Sequence, residues 1–151
     1  MCLYIKRRFW TKVKNTFGVY DTTKDSLSVY VVRHVDEDNA ISSPFHGDYI
    51  WEIGKTFAIK KIKHKIYKLC GVEYITFGWF HSVKLFKDAN DLKLMLYENS
   101  NYHLTKGARL KIYKAEIPAS TIFYNGSFDT ERGCMPSIAS KKLKLIGEVK
   151  C

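Results

Sequence analysis

The chain has 151 residues, of which 46% are hydrophobic and 26% are charged, a composition that excludes a disordered chain. Its apolar runs are much shorter than the ~20 residues of a membrane-spanning helix, so we expect a soluble globular protein. The formal net charge is +10 at pH 7, which predicts attraction to polyanions or to acidic proteins.

The first predicted strand covers residues 28–34, SVYVVRH, because β-branched and aromatic side chains dominate it. Residues 36–48 contain a proline, a glycine and several Asp, Asn and Ser residues, which predicts turns. In residues 49–54, YIWEIG, the alternation of side chains predicts a strand that ends near Ile53 and a turn at Gly54.

Residues 57–69 are compatible with two kinds of secondary structure. Ile59, Ile62 and Ile66 keep the spacing of a helix, whereas Ile62, His64 and Ile66 keep the spacing of a strand. The β-branched residues do not decide between the two, so helix and strand both stay open.

The second half of the chain contains the strongest helix signal. A β-rich run over residues 72–83 is followed by KDANDLKLMLYEN, residues 87–99, in which Ala89, Leu92 and Leu96 form one apolar stripe. Three more strands are predicted over residues 108–118, 120–126 and 141–149.

These elements together predict an α+β fold. We expect a single compact domain over residues 1–151, with a mainly antiparallel sheet of five to seven strands and one or two packed helices.

The basic residues fall in four blocks, at residues 6–14, 60–68, 106–114 and 141–144. The second block lies in a stretch without any acidic residue, from Ile53 to Val72. Lysines bind phosphates without sequence preference, and interleaved aromatic rings can stack on unpaired bases. One interpretation is therefore an RNA-binding or partner-binding surface; the other is that the apolar residues face the core and the lysines are only solvated. The candidate contact residues are Lys6, Arg7, Arg8, Lys60, Lys61, Lys63, His64, Lys65, Tyr67, Lys68, Lys106 and Arg109. The remaining basic residues of the third and fourth blocks are Lys111, Lys114, Lys141, Lys142 and Lys144.

Several short motifs occur in a fixed order along the chain. They are MCLY at the start, SPFHGDYIWEIGKTF, GWFHSVKLFKDANDL, KIYKAEIPASTIFYNG and SIASKKLKLIGEV. In this order the chain resembles a group of small proteins of bacteriophages, prophages and other mobile elements. It departs from the group's pattern at Trp79 and in the long lysine-rich segment.

The resemblance implies a role in counter-defence, including that of an anti-CRISPR protein. We therefore expect a nonenzymatic inhibitor that acts on an RNA-guided nuclease or on its RNA through the basic surface. The implied partners are RNA, a nucleic-acid-binding defence protein, or both, in the cytoplasm of the host cell. A structural or virion-associated protein is a further alternative.

The alternative from another class is an enzyme centred on His81. A Gly-aromatic-His-Ser turn before a helix is loosely similar to ADP-ribosyltransferases, in which a late glutamate acts on the ribose. Residues 137–140 contain no acid, and Glu131 lies in a turn-rich segment. The candidate partners of His81 are Tyr74, Glu52, His34 and Glu116.

The cysteines and histidines predict neither a metal nor a cofactor. Cys2, Cys70, Cys134 and Cys151 lack the paired spacing of zinc ligands and the density of a disulfide scaffold, so reduced thiols are expected. The start, MCLYIKRRFW, has no apolar core of the kind found in secretory signals, which also favours a cytoplasmic protein.

Neutralising the lysine-rich segment tests the basic-surface interpretation. Changing Lys60, Lys61, Lys63, Lys65 and Lys68 to glutamine should abolish binding to RNA in a filter assay and leave the thermal unfolding curve unchanged. A variant that unfolds would support the interpretation in which the segment only solvates the fold.

Overall fold

The computed structural model describes residues 3–5, 19–20, 25–44, 49–59, 66–69, 72–75, 79–98, 104, 106–130 and 133–150. Within these ranges the elements are β1 (Leu3–Ile5), β2 (Val19–Tyr20), β3 (Leu27–Val35), β4 (Ile41–Ser42), β5 (Thr56–Ala58), β6 (Ile66–Leu69), β7 (Val72–Ile75), β8 (Phe80–Val83), α1 (Phe86–Glu98), β9 (Arg109–Ile117), β10 (Phe123–Thr130), β11 (Gly133–Ser140) and β12 (Lys142–Glu148).

The described strands form one sheet in which every pair of strands is antiparallel. The order is β5-β12-β9-β3-β8-β11-β10-β1-β7-β6, with β2 paired to β10 and β4 paired to β3. This confirms an α+β fold with a mainly antiparallel sheet. The expected number of five to seven strands is wrong, because twelve occur in the described residues alone. Many of the additional strands have only two to four residues, which is too short for a clear alternation in the sequence.

Four predicted elements are confirmed with shifts of one or two residues at their ends. They are β3, α1, β9 and β12. Each has seven or more residues and a signal contained in one segment: β-branched side chains in β3, apolar residues two positions apart in β9 and β12, and an apolar stripe in α1.

The strand expected to end near Ile53 is wrong. Trp51 makes an isolated bridge to Ile41, whereas Ile53 makes an isolated parallel bridge to Leu145. The segment therefore passes from one strand to another and forms no ladder. The next strand along the chain is β5, which begins at Thr56 after the turn at Gly54.

The other differences concern the middle and the end of the chain. The β-rich run over residues 72–83 contains two strands, β7 and β8. Of residues 57–69, the structure places 57–58 in β5 and 66–69 in β6, and residues 60–65 lie outside the described residues. The pattern of side chains along the chain did not predict β11.

The sheet has two apolar faces, which β3 shows by its alternation. Val29 and Val31 pack in one cluster of buried residues, and Val32 packs in another. The helix α1 covers the second cluster with Ala89 and Leu92, so we call this side the outer face and the opposite side the inner face. Among the described residues, no helix is both long enough and apolar enough to cross a membrane.

The sheet folds over on itself at Lys141. In a flat sheet, β12 and β11 would lie four strand spacings of ~4.8 Å apart, because three strands separate them. Only Lys141 joins the two strands, and two residues span at most ~7 Å. The sheet must therefore bend sharply, as strands do at the corners of orthogonally packed sheets.

Backbone hydrogen bonds hold this corner from both sides. The Lys141 N–H donates to the carbonyl oxygen of Ile122 at 3.0 Å, and the Lys141 carbonyl accepts from the N–H of Ile59 at 3.0 Å. The Ser140 hydroxyl also donates to the carbonyl oxygen of Lys142 at 2.9 Å. The polar groups at the bend are thus satisfied, which is what a buried bend requires.

The inner face encloses the larger apolar cluster. Leu143 and Leu145 of β12 meet Ile138 of β11 there, and all three are almost completely buried. Four aromatic rings extend this cluster with centroid distances of 4.6 to 6.3 Å, namely those of Tyr49, Trp51, Phe57 and Phe80.

Glycine substitutions test the two turns that need a left-handed backbone. Gly54 and Gly107 have φ angles of 84° and 79°, so alanine at either position should lower the free energy of unfolding by about 1–2 kcal/mol. The loss should be larger for Gly107→Ala, because an added Cβ would overlap the side chain of Glu37, and a second change, Glu37→Ala, should recover the difference.

The control is Gly147→Ala, because its added Cβ would meet no heavy atom within 4 Å and its φ is not left-handed. Urea unfolding of the four variants measures the effect. Equal stabilities for Gly54→Ala and Gly147→Ala would contradict the assignment of the turn.

Candidate nucleic-acid interface

Most residues predicted for the basic surface lie outside the described residues. These are Lys6, Arg7, Arg8, Lys60, Lys61, Lys63, His64 and Lys65. Tyr67 and Lys68 belong to β6, which ends the strand order at the side remote from β9 and β12.

Lys106 and Arg109 are exposed but lie beside an acidic turn. Arg109 is paired with Val35, the last residue of β3, and its Nη2 donates to Asn39 Oδ1 at 3.4 Å. Residues 36–38, Asp-Glu-Asp, fill the turn between these two contacts, and the Glu37 side chain lies against Gly107. Nearby carboxylates offset the positive potential of both cations, so this end of the sheet is a poor site for a polyanion.

A different set of lysines converges on the outer face, at β9 and β12. Lys114 projects there because its neighbours Tyr113 and Ala115 belong to the inner cluster. By the same alternation, Leu143 and Leu145 on the inner face place Lys142 and Lys144 on the outer face. We call Lys114, Lys142 and Lys144 the β9–β12 basic face.

The register of the two strands sets the spacing of this face. Lys144 is opposite Glu116 and Lys114 is opposite Gly147, with a bulge between Leu145 and Gly147. Lys142 and Lys144, on the same face of one strand, are ~6.8 Å apart, and Lys114 is the diagonal neighbour of Lys144 at ~7–8 Å. The three lysines therefore form one continuous row, in which Lys144 lies between Lys142 and Lys114.

One acidic side chain of the described residues belongs to this face. Glu116 is half-buried and stands directly across from Lys144, whereas Lys114 and Lys142 are exposed. One carboxylate against three ammonium groups leaves the face positive. Exposed ammonium groups of this kind are hydrated point charges that suit phosphate contacts.

Aromatic rings border the basic face. Tyr30 is paired with Lys114 and its half-buried ring packs edge-on against Phe86 at 5.8 Å. At the corner, Lys141 Nζ lies 5.9 Å from the ring centroid of Trp79. The partly exposed ring of Tyr30 therefore lies beside the cations, as rings do in single-strand binding sites, whereas Trp79 is buried in the core.

The sequence shows these lysines within its third and fourth basic blocks, but it gives no reason to place them among the candidate contact residues. The alternation within β9 separates Lys111 from Lys114, and this could have been found from the sequence. Lys111 lies on the inner face, where its Nζ pairs with Glu148 Oε2 at 2.7 Å. The pairing of β9 with β12 joins two blocks about 30 residues apart, and no local signal carries it.

His81 lies in β8 on the outer face, opposite Ala139 of β11. The proposed partners are engaged elsewhere: Glu52 pairs with Lys55 at 2.6 Å, and His34 Nδ1 lies 3.3 Å from Ser42 Oγ. Glu116 stands across from Lys144, and Tyr74 is in β7. These contacts give no support to a catalytic group made from His81 and these residues.

Comparisons with protein families, with curated proteins and with solved structures each find no match to this chain. The chain's own residues, and above all the β9–β12 basic face, are therefore the guide to its function.

Proposed function

We propose that this protein is a nonenzymatic, RNA-binding counter-defence protein, similar in action to an anti-CRISPR inhibitor. The β9–β12 basic face contacts the phosphate backbone of RNA. The observation that carries the proposal is the convergence of Lys114, Lys142 and Lys144 on one face of two paired strands.

The composition of the face favours RNA over a protein as the direct partner. Protein interfaces are depleted in lysine and enriched in aromatic residues and arginine at their centres. The centre of this face is formed by lysines, and its rings, Tyr30 and Trp79, lie at the border. Phosphates of RNA are the complementary charge, and a contact of this kind requires no base sequence.

The counter-defence context comes from the resemblance to small proteins of phages and mobile elements. RNA-guided nucleases hold their guide in a positively charged channel, and a protein that covers the guide prevents its loading. Inhibition of this kind needs only a binding surface. We place this activity in the host cytoplasm, where guide RNAs are loaded.

Neutralising the basic face tests the RNA contact. The triple variant Lys114→Gln, Lys142→Gln, Lys144→Gln should bind single-stranded RNA more weakly than the original protein. The slope of log K against log salt should also become smaller by about 2, because each single-strand phosphate contact contributes ~0.7. Filter binding at several salt concentrations from 50 to 200 mM measures both quantities.

A matched control removes the same charge from another place. Lys84, Lys87 and Lys93 lie before and along α1, and their change to glutamine should leave the salt slope close to that of the original protein. Equal slopes for the two triple variants would contradict a specific role of the basic face, because only net charge would then matter.

Glu116 offers a test in the opposite direction. Since its carboxylate faces Lys144, Glu116→Gln should remove a repulsion between the face and RNA phosphates and increase the affinity at 50 mM salt. The increase should diminish at 200 mM salt, where charges are screened more strongly. An unchanged or lower affinity would show that RNA binds elsewhere.

Purification from cells that contain an RNA-guided nuclease distinguishes the target. Recovery of guide RNA with the protein, and its loss with the lysine triple variant, would support the proposal. A nuclease protein that stays bound after ribonuclease treatment, and that the triple variant also retains, would contradict the RNA contact.

A further inference from the structure

An arginine is buried in the apolar inner face of the sheet. Arg33 of β3 is 5% exposed, and its neighbours on the same face of the strand are Val31 and Val35. The centre of its guanidinium lies 4.7 Å from the ring centroid of Trp51, which is 3% exposed. The cation is thus stacked on an indole inside the fold.

The hydrogen-bond donors of this pair exceed the acceptors that the described residues supply. A guanidinium carries five N–H bonds, and one of them, from Arg33 Nη1, reaches the carbonyl oxygen of Val32 at 2.9 Å. Among the described residues, neither Arg33 Nε nor Trp51 Nε1 has an acceptor, although both atoms are buried. Both groups donate and neither accepts, so they cannot satisfy each other.

The charge of Arg33 is also uncompensated in the part of the chain that the structure describes. Burial lowers the pKa of Arg33 to about 9, so the guanidinium is still protonated at neutral pH. On the paired strand, Lys111 lies directly opposite on the same face, and its partner Glu148 is engaged at 2.7 Å. Buried charges in proteins are normally paired, because an unpaired one costs several kcal/mol.

We propose that Arg33 and Trp51 form a binding site for a small oxyanion of the carboxylate or phosphate class. Arg33 Nε, together with the adjacent Nη2, presents one edge of the planar fork, which matches two oxygens of such an anion. The buried Trp51 Nε1–H, on the ring over which the guanidinium lies, is a further donor without an acceptor among the described residues. An anion bound here would accept hydrogen bonds from the buried donors and would also neutralise the charge of Arg33.

This site is separate from the proposed RNA contact. Arg33 lies on the inner face, whereas Lys114, Lys142 and Lys144 lie on the outer face. The inference goes beyond RNA binding and does not depend on it. The lysine triple variant provides the distinction, because it should bind RNA more weakly and keep its response to small anions.

Thermal unfolding in different anions tests the site in the full chain. Sodium phosphate and sodium acetate are compared with sodium chloride at equal ionic strength. The site predicts a saturable rise in Tm, of about 5–10 °C when the anion is at a hundred times its Kd. The anion with the lower half-saturation concentration identifies the class that the site prefers.

The indole N–H resonance of Trp51 gives a second and local measurement. In a two-dimensional NMR spectrum it should shift on titration with the same anion and saturate at the same concentration as the Tm. The resonance is assigned as the peak that disappears in Trp51→Phe. The titration itself uses the unaltered protein, so it stays informative if a variant at Arg33 fails to fold.

Two variants separate the fork from the charge. Arg33→Met removes both and should abolish the anion-dependent rise in Tm. Arg33→Lys keeps the charge and loses the planar fork, so its half-saturation concentration should rise at least tenfold. The proposal is overturned if phosphate and acetate leave the Tm and the Trp51 resonance of the original protein unchanged relative to chloride. It is equally overturned if Arg33→Met shows the same rise.

Discussion

At Lys141 the sheet bends sharply, and this bend decides which side chains can share a core. One residue connects two strands that the order of the sheet separates by three others, and its N–H and carbonyl bond to opposite sides of the bend. Leu143 and Leu145 can meet Ile138 in one core only because the sheet turns there. The inner face is thereby closed, and the outer face is left to the helix and to solvent.

This division places two kinds of positive charge in different surroundings. On the outer face, Lys114 and Lys142 remain in water, so they act through long-range attraction that salt weakens. On the inner face, Arg33 is removed from water, so its interactions are strong and its lack of an acceptor is costly. The same strand pair, β3 with β9, supports both environments because successive residues alternate between them.

The sequence was sufficient for elements whose signal is local. The β-branched residues of β3, the alternation of apolar and polar residues in β9 and the apolar stripe of α1 are each contained in one segment. The strand β11 has no such signal, because Gly133 and Pro136 have low strand propensity and the strand is held in place by its pairing with β8 and β10. Pro136 lies beyond the residues that pair with β8, where a missing N–H is tolerated. The basic face could not be predicted for a related reason. Lys114 and Lys144 become neighbours only through the register of β9 with β12, which no local pattern in the sequence indicates.

The pairing of β3 with β9 also determines how the chain reaches its folded state. Leu27 is matched with Ile117 and Val35 with Arg109, so the longest ladder joins segments more than 70 residues apart. Such distant pairings form slowly, because the entropy of closing a large loop is lost before the contacts between the strands lower the free energy. During synthesis, β3 cannot form its long ladder before β9 has been made. The inner cluster cannot be completed before Leu143 and Leu145 have left the ribosome. A nascent chain therefore exposes unpaired edges of β3 until β9 has been synthesised, and chaperones that shield such edges should increase its yield.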